Sequence, residues 1–261
     1  MKVVILCGGK GTRLSEETEY RPKPLVPIGD MPILWHIMKT YSHYGFKDFI
    51  LCLGYKGEMI KDYFLKFEEL VNDFTLSLRS KKERIIHHNN ARLEDWNITF
   101  INTGLNAQTG SRLAKIKDYI GSDERFFLTY GDGVAEIDLS KLLEFHRSHG
   151  KIGTITGVRP PSRFGEIVAE DEEIIEFNEK PLVSKGYING GYFVFNKEIF
   201  NYLSTDDNCV FEREPLEKLV NKGELKLYPH NGFWHCMDTY RDYVLLNEYW
   251  NKGDAPWKVW G

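Results

Sequence analysis

Apolar residues follow two alternating patterns along the chain. Short uninterrupted apolar runs, at residues 3–7, 49–53 and 126–130, are typical of strands that a sheet buries on both faces. Between such runs, apolar residues recur at helical spacing, as they do from Ile33 to Tyr41. Because strands and helices alternate, the pattern predicts an α/β sheet of mainly parallel strands flanked by helices.

The same reasoning predicts the remaining elements. Further strands are expected at residues 96–102, 152–158 and 191–195, with a hairpin at 166–169 and 174–177. Further helices are expected at residues 56–70, 113–120, 139–149, 214–222 and 239–251. Residues 21–32 contain four prolines and are predicted as a loop, and the polar residues 72–96 are predicted as irregular. No internal repeat or linker is evident, so we expect a single domain over residues 1–261.

Composition narrows the classes of function. The chain has 34 Lys and Arg against 38 Asp and Glu, a net charge of −4, which argues against a general nucleic-acid binder. No apolar run approaches the ~20 residues of a membrane helix, and we expect no secretory signal peptide. The four cysteines are scattered, which disfavours a zinc site or a disulfide framework and favours a cytoplasmic protein with reduced thiols.

A glycine-rich segment, GGKGTRL at residues 8–14, follows the first buried strand directly. Glycines let the backbone approach a phosphate closely, and Lys10 and Arg13 add positive charge. The segment lacks the ending of a Walker loop, and Leu14 stands where a dinucleotide fingerprint has Gly or Ala. We interpret it as a phosphate-binding turn of another class. A plain turn between a strand and a helix is the alternative.

Two further segments are able to bring charge to the same ligand. Lys23 lies between two prolines, which restrict the backbone and fix the ammonium group at low entropic cost. Asp132 stands between two glycines after the strand at 126–130, at the sheet edge where α/β folds bind ligands. A carboxylate there suits Mg²⁺. Taken alone, the Lys23 segment is better explained as an exposed basic loop. A turn Asp bonded to its own backbone explains Asp132 about as well as a metal ligand does.

Two later segments are ambiguous from their residues alone. Asp238 or Thr239 is a natural N-cap for the last helix, and this explanation is favoured over a second Mg²⁺ ligand at Asp238. Glu179 beside Lys180 suits a sugar hydroxyl and a phosphate, and the glycines at 190–191 leave room for a ligand against the backbone. A hairpin end and a glycine bulge are the alternatives for these residues.

Taken in order, these motifs resemble the sugar nucleotidyltransferase family, the nucleotide-sugar pyrophosphorylases. The resemblance covers nearly the whole chain and rests on residues 8–14, 22–24, Asp132, 179–181, 189–191 and Asp238. The resemblance is greatest to the cytidylyl branch of that family, through residues 14–18, 32–38, 54–57, 96–104, 109–113, 129–134 and 255–258. Asn102 departs from that branch, in which Asp is usual at this position.

The resemblance implies the nucleotide-diphospho-sugar transferase fold, Rossmann-like, with a nucleotide-binding part at about residues 1–135 and a sugar-binding part at about 136–261. It implies Mg²⁺-dependent transfer of a cytidylyl group from CTP to α-D-glucose 1-phosphate, giving CDP-glucose and pyrophosphate for polysaccharide biosynthesis. Asp132 and Asp238 are the implied metal ligands, and Arg13 and Lys23 the implied catalytic residues. The implied substrate-binding residues are Leu6, Cys7, Gly8, Gly9, Lys10, Gly11, Thr12, Arg13, Lys23, Thr109, Arg112, Asp132, Glu179, Lys180, Asn189, Gly190 and Gly191.

Several alternatives stay open at this point. The same transfer with dTTP or UTP, or to another phosphorylated acceptor, would use the same motifs. A non-enzymatic nucleotide-binding regulator would not require Lys23, Asp132 and Asp238 together. A dinucleotide-dependent oxidoreductase is disfavoured by the missing third glycine. The cytidylyl branch forms homo-oligomers, so the basic segment at 79–92 is a candidate intersubunit loop.

Overall fold

The computed structural model describes residues 1–79, 85–88, 93–159, 166–170, 173–178 and 186–261. The strands found there are β1 (Lys2–Cys7), β2 (Pro27–Ile28), β3 (Met31–Pro32), β4 (Asp48–Leu53), β5 (Phe74–Leu76), β6 (Ile85–His87), β7 (Asn97–Asn102), β8 (Arg125–Tyr130), β9 (Gly133–Ala135), β10 (Gly153–Val158), β11 (Glu166–Glu170), β12 (Glu173–Asn178), β13 (Ile188–Asn196), β14 (Leu225–His230) and β15 (Trp234–Cys236).

The α-helices of the same residues are α1 (Ser15–Thr18), α2 (Ile33–His43), α3 (Gly57–Leu65), α4 (Phe67–Val71), α5 (Thr109–Ala114), α6 (Leu139–His149), α7 (Glu214–Asn221) and α8 (Tyr240–Lys252). Short 3₁₀ helices occur at Thr12–Leu14, Lys23–Leu25, Lys117–Ile120 and Lys197–Tyr202. None of the helices in the described part of the chain has both the length and the apolarity needed to cross a membrane.

A seven-stranded central sheet has the order β14-β10-β13-β8-β1-β4-β7. Parallel pairs join β1 to β4 and β8, β4 to β7, and β10 to β14, whereas β13 runs antiparallel to both of its neighbours. The sheet is therefore mixed and mainly parallel, as predicted. Since β1 and β8 are parallel neighbours, the loop after Cys7 and the loop after Tyr130 emerge at the same sheet edge.

The core lies on both faces of this sheet. Successive side chains of a strand point to opposite faces, so Val3 and Ile5 join one apolar cluster while Val4 joins another. The first cluster includes Leu34 of α2, and the second includes Leu219 of α7. Burial on both faces explains why β1 and β8 are continuous apolar runs, the feature by which the sequence predicts them.

The hairpin of β11 and β12 and the helix at Leu139–His149 are confirmed, but other bounds were wrong. The helix expected at 56–70 is interrupted at Lys66 between α3 and α4. The helix expected at 113–120 begins earlier, at Thr109, and is followed by a separate 3₁₀ turn. Within the residues expected to be irregular, β5 and β6 form an exposed hairpin. Within the residues 21–32 expected to be a loop, the two-residue strands β2 and β3 pair after a 3₁₀ turn. The strands β9, β14 and β15 were also not predicted, because they are short or largely exposed and carry no clear apolar run.

Candidate active site

A cleft of about 250 Å³ opens where β1 and β8 end. Four stretches of chain meet there: the glycine loop after β1, the proline-flanked Lys23, the end of β8 and the start of α5. The predicted site residues that line it are Leu6, Cys7, Gly8, Gly9, Gly11, Arg13, Lys23, Thr109, Arg112 and Asp132. Residues of the lining that sequence reasoning did not single out are Pro24, Ala107, Gln108, Tyr130 and Gly131.

The glycine loop requires glycine for two reasons, the backbone conformation at one position and the close packing of a side chain at another. Gly11 has a φ of 64°, in the left-handed region that favours glycine. A Cβ atom on Gly8 would lie only 2.2 Å from the guanidinium carbon of Arg112. Lys10 and Thr12, also predicted to bind substrate, are exposed and are not part of the cleft lining. The loop therefore lays backbone along the cleft and directs those two side chains to solvent.

Arg112 holds two loops together. Its side chain is almost fully buried, and its guanidinium donates to the carbonyl oxygens of Gly8 (3.0 Å), Leu53 (3.1 Å) and Gly104 (2.8 Å) and to Oγ1 of Thr103 (2.7 Å). Burial lowers the pKa of Arg112, and the carbonyl oxygens compensate for part of the lost hydration. In this structure Arg112 positions the glycine loop. Its contact with a substrate stays a prediction.

Lys23 forms the centre of a charged cluster in the cleft. Its Nζ lies 2.6 Å from Oδ2 of Asp132 and 2.7 Å from Oδ1 of Asp238, and Arg13 Nη1 lies 2.8 Å from Oδ2 of Asp238. Burial lowers the pKa of Lys23, but the two carboxylates outweigh that effect and raise it. For Asp238, burial raises the pKa and the Lys23 ammonium more than reverses this, so the pKa is lowered. Lys23 and Asp238 are therefore both charged at neutral pH.

Asp238 is free to join this cluster because another residue caps α8. Oγ1 of Thr239 accepts from the N–H of Asp242, and Oδ2 of Asp242 accepts from the N–H groups of Thr239 (2.8 Å) and Asp238 (3.1 Å). The sequence interpretation of a helix cap at Asp238 or Thr239 is confirmed for Thr239, whereas the Asp238 carboxylate does not cap the helix. The capping box fixes the backbone of Asp238 and leaves its carboxylate to face Lys23 and Arg13.

The predicted sugar-side residues lie beside Tyr130 of the cleft lining. Asn189 donates through Nδ2 to the Tyr130 hydroxyl (3.1 Å), and its Oδ1 accepts from the N–H of Gly191 (2.8 Å). Gly191 has a φ of 78°, and a Cβ atom there would lie 2.7 Å from the Tyr130 ring. Trp234 Nε1 donates to the Gly190 carbonyl (2.7 Å). The other predicted sugar-side pair, Glu179 and Lys180, lies outside the described residues.

Sequence reasoning missed Tyr130 and Glu212. The Tyr130 hydroxyl donates to Oε1 of Glu212 at 2.5 Å, and the Thr109 hydroxyl donates to Oε2 at 2.6 Å. Tyr130 was interpreted only as the end of an apolar strand. Glu212 is 82 residues away from it along the chain and carries no local motif. The one available signal was that Tyr130 is the polar end of a buried strand at the ligand-binding edge.

Metal binding at this site would rest on two carboxylates. Among the residues that the structure describes, no group of three or more His, Cys, Asp and Glu side chains is arranged to hold an ion. Asp132 and Asp238 nevertheless already share one cation, the ammonium of Lys23. Mg²⁺ commonly binds through one or two carboxylates together with substrate phosphates and water, so this donor set fits the ion.

Comparison with known proteins agrees with the geometry. The family model described as Nucleotidyl transferase matches residues 2–252. Proteins named glucose-1-phosphate cytidylyltransferase from Salmonella typhi and from Salmonella typhimurium are each 47% identical over 260 residues, covering 100% of both chains. A crystal structure of UDP-glucose pyrophosphorylase complexed with UDP-glucose superimposes with a TM-score of 0.67 at 17% identity, covering 97% of this chain and 98% of that one.

These matches confirm two predictions made from the sequence. The structural likeness supports the fold that the motifs implied, and the family match covers nearly the same residues as the resemblance. The family model begins in β1 and ends in α8, so it includes every stretch of chain that lines the cleft. The chain belongs to the nucleotidyl transferase family.

Proposed function

We propose that this chain transfers the cytidylyl group of CTP to α-D-glucose 1-phosphate and forms CDP-glucose and pyrophosphate. The observation that carries the proposal is the charged cluster at the cleft that the glycine loop borders: Arg13, Lys23 and Asp132 line the cleft, and Asp238 pairs with Arg13 and Lys23. The choice of base and acceptor is supported by full-length likeness to proteins named glucose-1-phosphate cytidylyltransferase.

The reaction requires positioning and charge stabilisation. An oxygen of the sugar phosphate attacks the α-phosphorus of CTP, and the bond to the β-phosphate breaks, so no protein nucleophile is needed. Lys23, held at the cleft floor, stabilises the charge that develops at the α-phosphate. Arg13 is exposed enough to turn from Asp238 toward the departing pyrophosphate. The N–H groups of the glycine loop line the path of the phosphates.

The proposed metal is Mg²⁺, held by Asp132 and Asp238. When bound, the ion supplies positive charge against the triphosphate and the sugar phosphate. The chain contributes hard oxygen donors at fixed positions, since the capping box of α8 sets the backbone of Asp238 and the end of β8 sets that of Asp132. Lys23 and Arg13 together balance the formal charges of the two carboxylates, so the cluster carries a net negative charge only when Arg13 turns away.

The two substrates divide the chain into a nucleotide-binding part at about residues 1–135 and a sugar-binding part at about 136–261. Support for this division comes from the glycine loop and Thr109 in the first part, and from Asn189 and the glycines at 190–191 in the second. Leu6, Cys7, Lys10 and Thr12 are proposed nucleotide contacts. Glu179 and Lys180 are proposed sugar and phosphate contacts on the strength of the resemblance.

We further propose that the chain acts in the cytoplasm as a homo-oligomer, in polysaccharide biosynthesis. All four cysteines are free, as expected for a reducing compartment. Leu76 and Ile86 on the β5–β6 hairpin are 45% and 54% exposed, a feature that suits contact with another copy. Light scattering on the purified protein tests this, and a monomer at micromolar concentration would contradict it.

Pyrophosphate release tests the proposed reaction. The assay supplies Mg²⁺ and α-D-glucose 1-phosphate and compares CTP with dTTP, UTP, ATP and GTP. We expect release with CTP and loss of that release when EDTA removes the metal. Release with another base instead would keep the reaction and change the specificity, and no release with any of the five nucleotides would overturn the proposal.

A further inference from the structure

Glu212 binds two side chains of the cleft without lining it. Its Oε1 accepts from the Tyr130 hydroxyl at 2.5 Å and its Oε2 accepts from the Thr109 hydroxyl at 2.6 Å. Such short distances are typical of hydroxyl groups that donate to an ionised carboxylate. One carboxylate therefore joins the last residue of β8 to the first residue of α5.

The orientation of both hydroxyl groups is determined by further contacts. Thr109 Oγ1 accepts from the N–H of Phe211 (3.0 Å), and the Tyr130 oxygen accepts from Nδ2 of Asn189 (3.1 Å). Each hydroxyl proton is left to point at Glu212.

The chain that precedes Glu212 holds the start of α5 by its backbone. The carbonyl oxygen of Asp207 accepts from the N–H of Gln108 (2.8 Å), and that of Cys209 accepts from the N–H of Ser111 (3.1 Å). The Thr205 carbonyl accepts from the Ser111 hydroxyl (3.1 Å). We name residues 205–212 the α5 strap. The strap fixes the turn from which Gln108 and Thr109 face the cleft.

Glu212 joins two walls of the cleft, one formed by residues 107–109 and the other by Tyr130, and these walls suit different substrates. The wall at 107–109 has no charged side chain, so it suits the uncharged nucleoside rather than a phosphate. Tyr130 adjoins Asn189 and Gly191, the residues proposed above for the sugar. In-line attack requires both substrates in one narrow geometry, and a displacement of about 1 Å costs on the order of 100-fold in rate.

We propose that Glu212 is a positioning residue for nucleotidyl transfer, which fixes the wall at Thr109 relative to the wall at Tyr130. The inference rests on the proposed function. The carboxylate acts through the two hydroxyl groups and has no contact with either substrate. Loss of its second hydrogen bond leaves each wall intact but permits them to shift relative to one another.

The primary test is Glu212→Gln. The amide keeps one acceptor oxygen and replaces the other with a donor, so it satisfies only one of the two hydroxyl groups. We expect kcat with CTP and glucose 1-phosphate to fall about tenfold or more, while the Kd for CTP in titration calorimetry changes by less than about threefold. A purely structural role would not separate kcat from CTP binding in a folded variant.

A double-variant cycle tests the route of the effect. If Glu212 acts through Tyr130, the variant Glu212→Gln with Tyr130→Phe will be no slower than Glu212→Gln alone, within about twofold. The matched control is Glu217→Gln, the same change at an exposed position of α7, for which we expect kcat within about twofold of wild type. Circular dichroism and thermal melting confirm that each variant is folded.

The possible failures are distinguishable. An inactive wild-type protein overturns the proposed function, and with it a positioning role in that reaction. With an active wild type, unchanged kcat in Glu212→Gln, or losses that multiply in the double variant, overturns the role of Glu212. If Glu212→Gln does not fold, Tyr130→Phe and Thr109→Val each remove one of the hydrogen bonds. Normal kcat in both would then overturn the inference.

Discussion

Lys23 and Arg13, two of the three cations that line the cleft, pair with the same carboxylate in opposite surroundings. The Lys23 side chain is 11% exposed and lies between Asp132 and Asp238, a group we name the floor. The Arg13 side chain is 74% exposed and belongs to residues 9–13, which we name the rim. The floor is held by two ion pairs of a shielded ammonium, whereas the cation of the rim has a single ion pair and lies mostly in solvent. Proximity to a phosphate therefore does not make the two cations equivalent.

The floor and the rim also differ in how much their ion pairs contribute to the stability of the fold. Removing one partner of a buried ion pair costs about 3–5 kcal/mol, because it leaves a charge without compensation, and the half-buried floor lies somewhat below that range. An exposed pair such as Arg13 with Asp238 contributes about 1 kcal/mol or less. We therefore expect floor variants to affect both turnover and stability, and rim variants to affect turnover and binding alone.

Lys23→Ala carries the largest expected effect. It removes the cation at the α-phosphate and leaves two carboxylates facing each other, so we expect kcat to fall about 100- to 1000-fold with little change in the KM for the sugar phosphate. Steady-state pyrophosphate release measures the fall in kcat, and thermal melting measures the loss of stability. A change in KM with kcat preserved would show that Lys23 binds the ground state and the transition state equally. The proposed difference between Lys23 and Arg13 would then be wrong.

Lys39→Ala is the control for that variant. Lys39 forms an ion pair with Glu94 at 2.8 Å that is also largely shielded from solvent, and neither residue lines the cleft. We expect its melting temperature to fall while kcat stays within about twofold of wild type. A comparable loss of kcat in Lys39→Ala would show that lost stability, rather than lost charge at the site, explains the effect of Lys23→Ala.

Asp132→Asn is expected to act next most strongly. The amide preserves size and still accepts a hydrogen bond from Lys23, so the fold should survive, but a metal ligand of full charge is lost. We expect turnover at saturating substrates to fall about 100-fold and to require more Mg²⁺. Turnover measured against Mg²⁺ concentration tests this, with the surface variant Asp95→Asn as control. Near-normal activity and metal dependence would refute the metal role.

The floor was only partly predictable: Lys23 and Asp132 have local signals, but the Lys23 segment taken alone was better explained as an exposed loop, and the structure buries it. Prolines beside Lys23 and glycines beside Asp132, directly after an apolar strand, mark positions of fixed backbone at a ligand-binding edge. Asp238 was recognisable only through the family resemblance, since a residue next to a helix start is equally explained as a cap. Glu212 had no signal, because its partners are joined to it only by the folded arrangement of distant elements.

The elements of the fold show the same contrast between local sequence signals, which permit prediction, and contacts between distant residues, which do not. Strands buried on both faces leave continuous apolar runs, so β1, β4 and β8 were found from the sequence. The edge strand β14 is partly exposed and includes Pro229, and it was missed. Helix bounds failed where packing overrides periodicity, as at Lys66 and at the start of α5, where the α5 strap supplies the partners of the first turn.

Arg13→Ala sharpens the contrast with Lys23. Because its guanidinium is exposed, we expect a smaller loss of about tenfold in kcat/KM for CTP, with an unchanged melting temperature. The difference from wild type should shrink as ionic strength rises, since exposed charges are screened. Initial rates at low and high KCl provide the measurement. If the melting temperature of Arg13→Ala fell as far as that of Lys23→Ala, Arg13 would contribute to stability as the floor residues do, and the distinction between rim and floor would be wrong.

Lys10→Ala has the smallest expected effect and tests the outer limit of the rim. Lys10 is exposed and lies outside the cleft lining, so its ammonium attracts the triphosphate only through water in this conformation. We expect the KM for CTP to rise about two- to fivefold with kcat unchanged, while the remote control Lys141→Ala changes neither. If Lys10→Ala instead lowers kcat as much as Arg13→Ala, then the glycine loop must close over the bound nucleotide. The rim would in that case become part of the catalytic arrangement once the ligand has bound, and the contrast with the floor would hold only for the free protein.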